Sequence, residues 1–204
     1  MSSGDEIYVT DGKGNLFRAV IVLPNHKHCR VDIAEKTTVS QPWGCKVSIA
    51  IAPTKNIERT EWFAEKCTEL GIDSISLLNC RFSERKDVKT ERMERVLVSA
   101  MKQSLKYTKP LLDGVIPFKE FIKRPFGGDK FIAHCHDGEK PLLKDICRKG
   151  VDCLVMIGPE GDFSEEEVAL AKEAGFKDIS LGKSRLRTET AGIAACHTIQ
   201  LINQ

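Results

Sequence analysis

Two stretches of this 204-residue chain carry residue types and spacings from which chemistry can be built. The first is IGPEGDFSEEEV, Ile157 to Val168, where an apolar run enters Gly158-Pro159-Glu160-Gly161 and then a helix start marked by Ser164-x-x-Glu167. Glycines at 158 and 161 let a ligand approach the backbone, and Pro159 stiffens the turn. A helix N-terminus of this kind suits phosphate. Glu160, Asp162, Glu165, Glu166 and Glu167 nevertheless crowd it with negative charge, which favours a neutral or cationic ligand. The same residues also describe a plain strand–turn–helix connection with carboxylates at the positive end of a helix. On the residues alone the two readings weigh equally.

The second stretch is SLGKSRLRTETAGIAACHTIQ, Ser180 to Gln200. Gly182-Lys183-Ser184 invites comparison with a phosphate-binding P-loop, but the earlier glycine that motif requires falls on Lys177, so that reading fails. What remains is a loop holding Arg185 and Arg187, followed by a helix start at Thr188-Glu189-Thr190, with Thr188 as the expected cap. Small apolar residues from Ala191 to Ala195 allow close packing. His134 and His136, alternate residues at a strand end, can face one way as metal ligands, yet no third ligand accompanies them at suitable spacing. The chain has no G-x-S-x-G, H-E-x-x-H or G-x-G-x-x-G pattern, so hydrolase, zinc-protease and Rossmann readings lack their signatures.

Positioning these loops falls to the elements around them. Residues 5 to 50 read as short strands: EIYVTDGKGNLFRAVIV alternates into a turn at Asp11–Gly14 and out again, and KHCRVDI and KVSIAIA follow. Pro42 and Gly44 interrupt the chain before the last of these, which predicts a domain junction there. From Val47 strands alternate with helices. Asn56 caps a helix that runs to Leu70 with Gly71 as its stop; DSISLLN is a strand; a stripe from Met93 to Leu105 marks a helix opened by Thr90 and ended by Pro110. KFIAHC and DCLVMIG are strands with a short helix after Pro141 between them. Ser164 to Glu167 is a capping box, DISL a last strand, and Thr188 to Asn203 a closing helix. This alternation implies an α/β domain with a mainly parallel sheet covered on both faces. In such sheets ligands bind at the carboxyl ends of the strands, where both loops fall.

Composition is ordinary: 41% hydrophobic, 29% charged, net charge +2. No run approaches the roughly 20 apolar residues a membrane helix needs, and the polar start shows no secretory signal, so a cytoplasmic location without membrane contact is expected. The eight cysteines include no C-x-x-C pair, which implies buried, reduced thiols. Basic residues cluster at Arg81 to Lys89 and Lys183 to Arg187.

The two loops together resemble the signature pair of the RsmE family, 16S rRNA (uracil-N3) methyltransferases of the SPOUT superfamily. TEWFAEKCTELGI (Thr60–Ile72), NCRFSERK (Asn79–Lys86) and SAMKQSLKYTKP (Ser99–Pro110) resemble three further family segments, in the right order from about Val47 onward. The resemblance implies a SPOUT α/β domain over 47–204 whose C-terminal segment threads a trefoil knot. It implies a small PUA-like β-barrel over 1–46, here expected to be truncated because Met1-Ser2-Ser3 runs straight into GDEIYVTDGKG. It also implies a homodimer, S-adenosyl-L-methionine as methyl donor with no metal, and 16S rRNA within the assembling small ribosomal subunit as partner.

Site residues follow from the same resemblance. Arg187, Glu189 and Glu160 are the expected catalytic groups, with Arg187 steadying the uracil anion and one of the glutamates taking the N3 proton. His134, Gly158, Pro159, Glu160, Gly161, Leu181, Gly182, Leu186, Arg187, Thr188 and Ala191 are expected at the cofactor. Arg81, Arg85, Lys86, Gln103 and Arg185 are expected at RNA. Two alternatives stay open: a SPOUT enzyme for tRNA or another rRNA position, and a non-catalytic RNA-binding or ribosome-assembly protein.

Overall fold

The computed structural model describes residues 1–41 and 43–204; Pro42, half of the expected junction, lies outside the described residues. An antiparallel sheet is formed by β1 (Glu6–Thr10), β2 (Asn15–Leu23) and β3 (Arg30–Thr38), with β2 in the middle. Its first turn falls where expected, because Asp11 accepts the N–H groups of Lys13 and Asn15 while Gly12 takes φ 70° and Gly14 φ 91°. β3 starts later than KHCRVDI and runs further. The Asn25 side chain accepts from the N–H groups of Lys27 and His28, holding them in a turn, so pairing with β2 begins only at Arg30.

The second sheet contains β4 (Val47–Ile51), β5 (Ser74–Asn79), β6 (Leu111–Pro117), β7 (Asp129–Ala133), β8 (Cys153–Ile157) and β9 (Lys177–Ile179). All pairings are parallel, in the order β6-β5-β4-β8-β7-β9. The helices are α1 (Ile57–Leu70), α2 (Thr90–Gln103), α3 (Phe118–Phe121), α4 (Leu143–Ile146), α5 (Glu165–Glu173) and α6 (Thr188–Asn203). Alternating side chains fill two cores. Val47, Ile49 and Ile51 of β4 join Phe63 of α1, Leu97 of α2 and Ile199 of α6 on one face. Ala50 and Ala52 join Phe118 of α3 and Val168 of α5 on the other.

Local signals held for several helix ends. Asn56 accepts from the Glu58 N–H, Gly71 ends α1 at φ 108°, and the Ser164–Glu167 capping box is complete. Others were overridden. α2 stops at Gln103 rather than running through Leu105, because Ser104 Oγ bonds back to the Ala100 carbonyl and Leu105 takes the left-handed φ of 51° with its side chain exposed. Thr188 is the first helical residue of α6 and buried; Arg187 occupies the cap position without a side-chain cap. β6 had no place in the sequence reading. Its Asp113-Gly114 step looks like a turn, but Gly114 is a bulge between the Ser76–Asp113 and Leu77–Val115 pairs on an edge strand. Six of the eight cysteines are buried; Cys29 and Cys135 are exposed.

α6 returns from the sheet edge to lie on β4 and α1. Gly192 permits the approach: a Cβ there would stand 2.5 Å from the Phe63 ring and 3.2 Å from Ile51 Cδ1. Gly192→Ala should therefore destabilise the chain. Alanine's helix preference of about 1 kcal/mol offsets part of an overpacking cost of about 1–3 kcal/mol. The expected result is a lower urea midpoint at unchanged m-value, worth up to about 2 kcal/mol. A midpoint equal to the parent's would show that Phe63 yields freely.

Candidate functional site

Three loops meet at the carboxyl ends of β7, β8 and β9 and enclose a cleft of about 990 Å³. The loop after β8 turns at Pro159, whose carbonyl accepts from the Asp162 N–H at 2.9 Å. Asp162, at φ 65°, accepts from the N–H of Phe163 and, at 2.6 Å, from that of Cys135, tying this loop to the one after β7. Glu160 Oε1 accepts from the Lys55 N–H at 2.9 Å, which ties it to the loop after β4. Glu167 caps its own helix and accepts from the Arg81 N–H at 2.8 Å. Much of the negative charge at this helix start is therefore engaged in holding loops, and Lys119 pairs with Glu166.

The loop after β9 is tethered where it begins. Ser180 donates its N–H to the Pro141 carbonyl and accepts from the Leu143 N–H. Gly182 takes φ 126°, and its N–H donates to Ser180 Oγ. Lys183, Arg185 and Arg187 then stand exposed before α6, whose Thr188 and Glu189 are buried.

In the loop after β7, His134 has 5% side-chain exposure, with Nε2 3.4 Å from Asp178 Oδ1. Neither ring nitrogen has a hydrogen-bond partner among the described residues. Burial, and then the nearby Lys140 ammonium, hold its pKa below the usual imidazole value, and the Asp178 carboxylate offsets this only in part. His136 instead has Nε2 2.7 Å from the Phe163 carbonyl. The two histidines thus diverge in environment, and no group of three or more potential ligands able to hold a metal occurs among the described residues.

Every residue expected at the cofactor lines this cleft, as do Arg187, Glu189, Glu160 and, from the RNA set, Arg185. Arg81, Arg85 and Lys86 do not. They belong to the loop after β5, at the same end of the sheet, where Phe82 Cβ packs 3.0 Å from the position a Cβ on Gly161 would take. Arg85 already donates to the Thr54 and Lys55 carbonyls. Gln103 closes α2 and so lies at the opposite, amino end of the parallel strands, beside residues 107–109 that bond to β1–β2 turn residues. Lining residues missed from sequence include Arg59, Cys135 and Lys140. Arg59 had a readable signal: it is a cation in the first turn of a helix, where the dipole disfavours it.

A model of the RNA methyltransferase domain matches residues 41–200. The chain belongs to this family. The match contains the whole cleft. The solved structure of a "probable rRNA-methyltransferase" from Porphyromonas gingivalis is 43% identical, with TM-score 0.93, covering 98% of this chain and 87% of that one. Ribosomal RNA small subunit methyltransferase E from Neisseria gonorrhoeae, solved bound to S-adenosyl methionine, is 27% identical, with TM-score 0.88, covering 98% of this chain and 84% of that one. The enzyme of the same name from Rickettsia conorii is 31% identical over 138 residues, which span 66% of this chain and 56% of that protein. With these relatives the RsmE resemblance is established.

The methyltransferase cleft has one pH-sensitive wall. Because the folded chain holds His134 below its ordinary value of 6.5, the unfolded chain protonates first, and stability is lost as pH falls through 6.5 toward the folded-state value. Asp178 acts in a separate, more acidic window. Burial pushes its carboxyl up, but Lys172 and His134 outweigh this and hold it below 3.8, so its stabilisation is lost below that value. The melting temperature should therefore drop between pH 7 and 5.5, and His134→Gln should flatten that part of the curve. Unchanged slopes in parent and variant would remove His134 from this role.

Proposed function

We propose that this chain is an S-adenosylmethionine-dependent methyltransferase that methylates N3 of a uridine in 16S ribosomal RNA. The observation that carries the reading is the meeting, in one cleft, of the two glycine-bearing loops with Arg187 and the buried Glu189. The cleft suits the donor on structural grounds. Its volume lies within the roughly 300–1,000 Å³ typical of small-molecule sites. Its lining mixes cations with carboxylates, as a ligand with a sulfonium, an ammonium and a carboxylate requires. His134 adds buried ring nitrogens that lack protein partners. Gly158, Gly161, Leu181 and Gly182 would hold the adenosine, with Leu186 and Ala191 as apolar walls. When bound, the donor supplies an electrophilic methyl group.

The protein's part is to prepare the base. Uridine N3 carries a proton at neutral pH, so an acceptor must stand at the cleft and the resulting charge must be stabilised. Glu189 fits the acceptor role, being buried and without a hydrogen-bond donor among the described residues. Glu160 is committed to the Lys55 N–H and fits a positioning role better. Arg187, exposed at the cap of α6, can stabilise negative charge developing on the uracil oxygens. Exposed Arg81, Lys86 and Arg185 would contact phosphate, and Arg85 would add what donors it does not spend on the β4 loop.

The finer architecture belongs to the same proposal. Residues 47–204 form the SPOUT domain, with the segment after β9 threaded as a knot; the tether of Ser180 to Pro141 and Leu143 and the return of α6 to β4 support this. Residues 1–46 form a PUA-like RNA-binding module, supported by the exposed Tyr8 and Ile33. A second copy covers the exposed Trp62 and Leu201 on the packed pair α1 and α6, giving a homodimer. No described helix is long and apolar enough to cross a membrane, and we place the protein in the cytoplasm with the assembling small subunit.

With small subunits that lack the modification, nucleoside mass spectrometry should detect 3-methyluridine in 16S rRNA. Arg187→Ala should lower the rate by about 10²–10³-fold, a larger effect than its loss of calorimetric affinity for S-adenosylmethionine, whose expected cleft Arg187 also lines. Methylation of tRNA instead would move the substrate class, and full activity in the variant would remove Arg187 from its role.

A further inference from the structure

Arg59 has no part in the chemistry so far described, yet it reaches the cleft from α1. It is the third residue of that helix, where its charge opposes the helix dipole. Its Nε lies 4.0 Å from Glu189 Oε1, and its side chain remains 42% exposed. Among the described residues its guanidinium has no hydrogen-bond acceptor. Glu189 is the complementary case: its side chain is 8% exposed, and its carboxylate receives no hydrogen bond. Its oxygens are not sealed from solvent, so the carboxylate stands at the cleft open to a donor brought by a ligand. Arg187 enters the same cleft from the loop before α6. Two guanidinium groups on different elements therefore share a cleft with one buried acceptor.

We propose that Arg59, Glu189 and Arg187 together read the Watson–Crick edge of the target base as donor, acceptor and donor, and so select uracil over cytosine. The inference rests on the uridine-N3 reading above and adds the means of base choice. Uracil presents O2, N3–H and O4, which are acceptor, donor and acceptor. Each meets its complement: the oxygens receive guanidinium hydrogens and N3–H donates to Glu189. The N3 proton then has its acceptor already in hydrogen-bond contact. Cytosine presents O2, an N3 lone pair and an N4 amino group. Its lone pair would face the carboxylate and its amino group a guanidinium, two mismatches in a site where a missing partner is poorly tolerated. Arg59 serves here by its forked, permanently charged head, which lysine does not reproduce.

The test has one binding arm and one product arm. With S-adenosylhomocysteine bound, saturation-transfer NMR compares uridine 5′-monophosphate with cytidine 5′-monophosphate. The parent chain should favour the uridine nucleotide by about 10- to 100-fold. Glu189→Gln and Arg59→Gln should each bring the two within a few-fold, and Arg59→Lys should recover little. In the product arm the Glu189→Gln ratio of 3-methylcytidine to 3-methyluridine should rise, since cytosine N3 has no proton to remove. Calorimetric affinity for S-adenosylmethionine should be unchanged in the Arg59 variants. Weakened donor binding with intact base preference would make Arg59 a cofactor anchor and overturn the proposal. So would intact preference in folded Glu189→Gln, with circular dichroism reporting the fold. A parent chain that forms no 3-methyluridine yet prefers the uridine nucleotide would overturn the reaction and leave the base reading standing. One that forms it, with variants of unchanged preference, would overturn the base reading alone.

Discussion

Gly192 and Phe63 meet where α6 crosses α1, and the distance between those helices sets the geometry of the cleft. With no Cβ between them, α6 lies against Phe63 and Ile51 closely enough to bury Thr188 and Glu189 at its start. Its far end is held as well: Gln200 Nε2 donates to the Gly71 carbonyl at 2.7 Å, and Asn203 accepts from the Gly150 N–H at 2.7 Å. The preceding loop is fixed at Ser180 on the other side. A short stretch of chain must therefore span from the edge strand β9 to a helix lying on β4. That span, carrying Arg185 and Arg187, becomes one wall of the cleft.

The opposing wall owes its shape to charge. Read as a string, residues 160–167 look like an anionic patch that rejects phosphate. In the folded chain Glu160 holds the β4 loop, Asp162 the β7 loop, and Glu167 both its own cap and the β5 loop. Carboxylates accepting backbone N–H groups form strong, directional bonds, and here they lace together loops that would otherwise move separately. This helix start is no phosphate cradle, because the N–H groups of Ser164 and Glu167 are spent within the capping box and the carboxylates keep their charge. Glu189, by contrast, is a buried acid whose carboxylate holds no backbone N–H.

Helix ends were legible because caps act over a few residues. Asn56, Gly71 and the Ser164–Glu167 box announce themselves within one turn of the positions they control. β4 was legible as a short, nearly continuous apolar run, because both of its faces are buried. β6 was hidden because a bulge at Gly114 borrows the residues of a turn, and the end of α2 was hidden because Leu105 adopts a conformation usually left to glycine. The strand depends on a distant partner, β5, whereas the helix end turns on a local choice, the Ser104 bond back to Ala100, that residue type alone does not announce.

The two loops first singled out, and the family they identify, were set by the sequence by itself. So were the strands and helices other than β6 and α3, and the placing of both loops at strand ends, since each follows from residue type and local spacing. The tertiary structure alone decided that β8 lies between β4 and β7, so that the loops after β7, β8 and β9 converge. It alone brought Arg59, from the first helix of this sheet, to within 4.0 Å of Glu189 in the last. Local rules reach about one helical turn, whereas strand order and helix docking follow from burying both faces of a sheet at once. No spacing along the chain encodes that second condition.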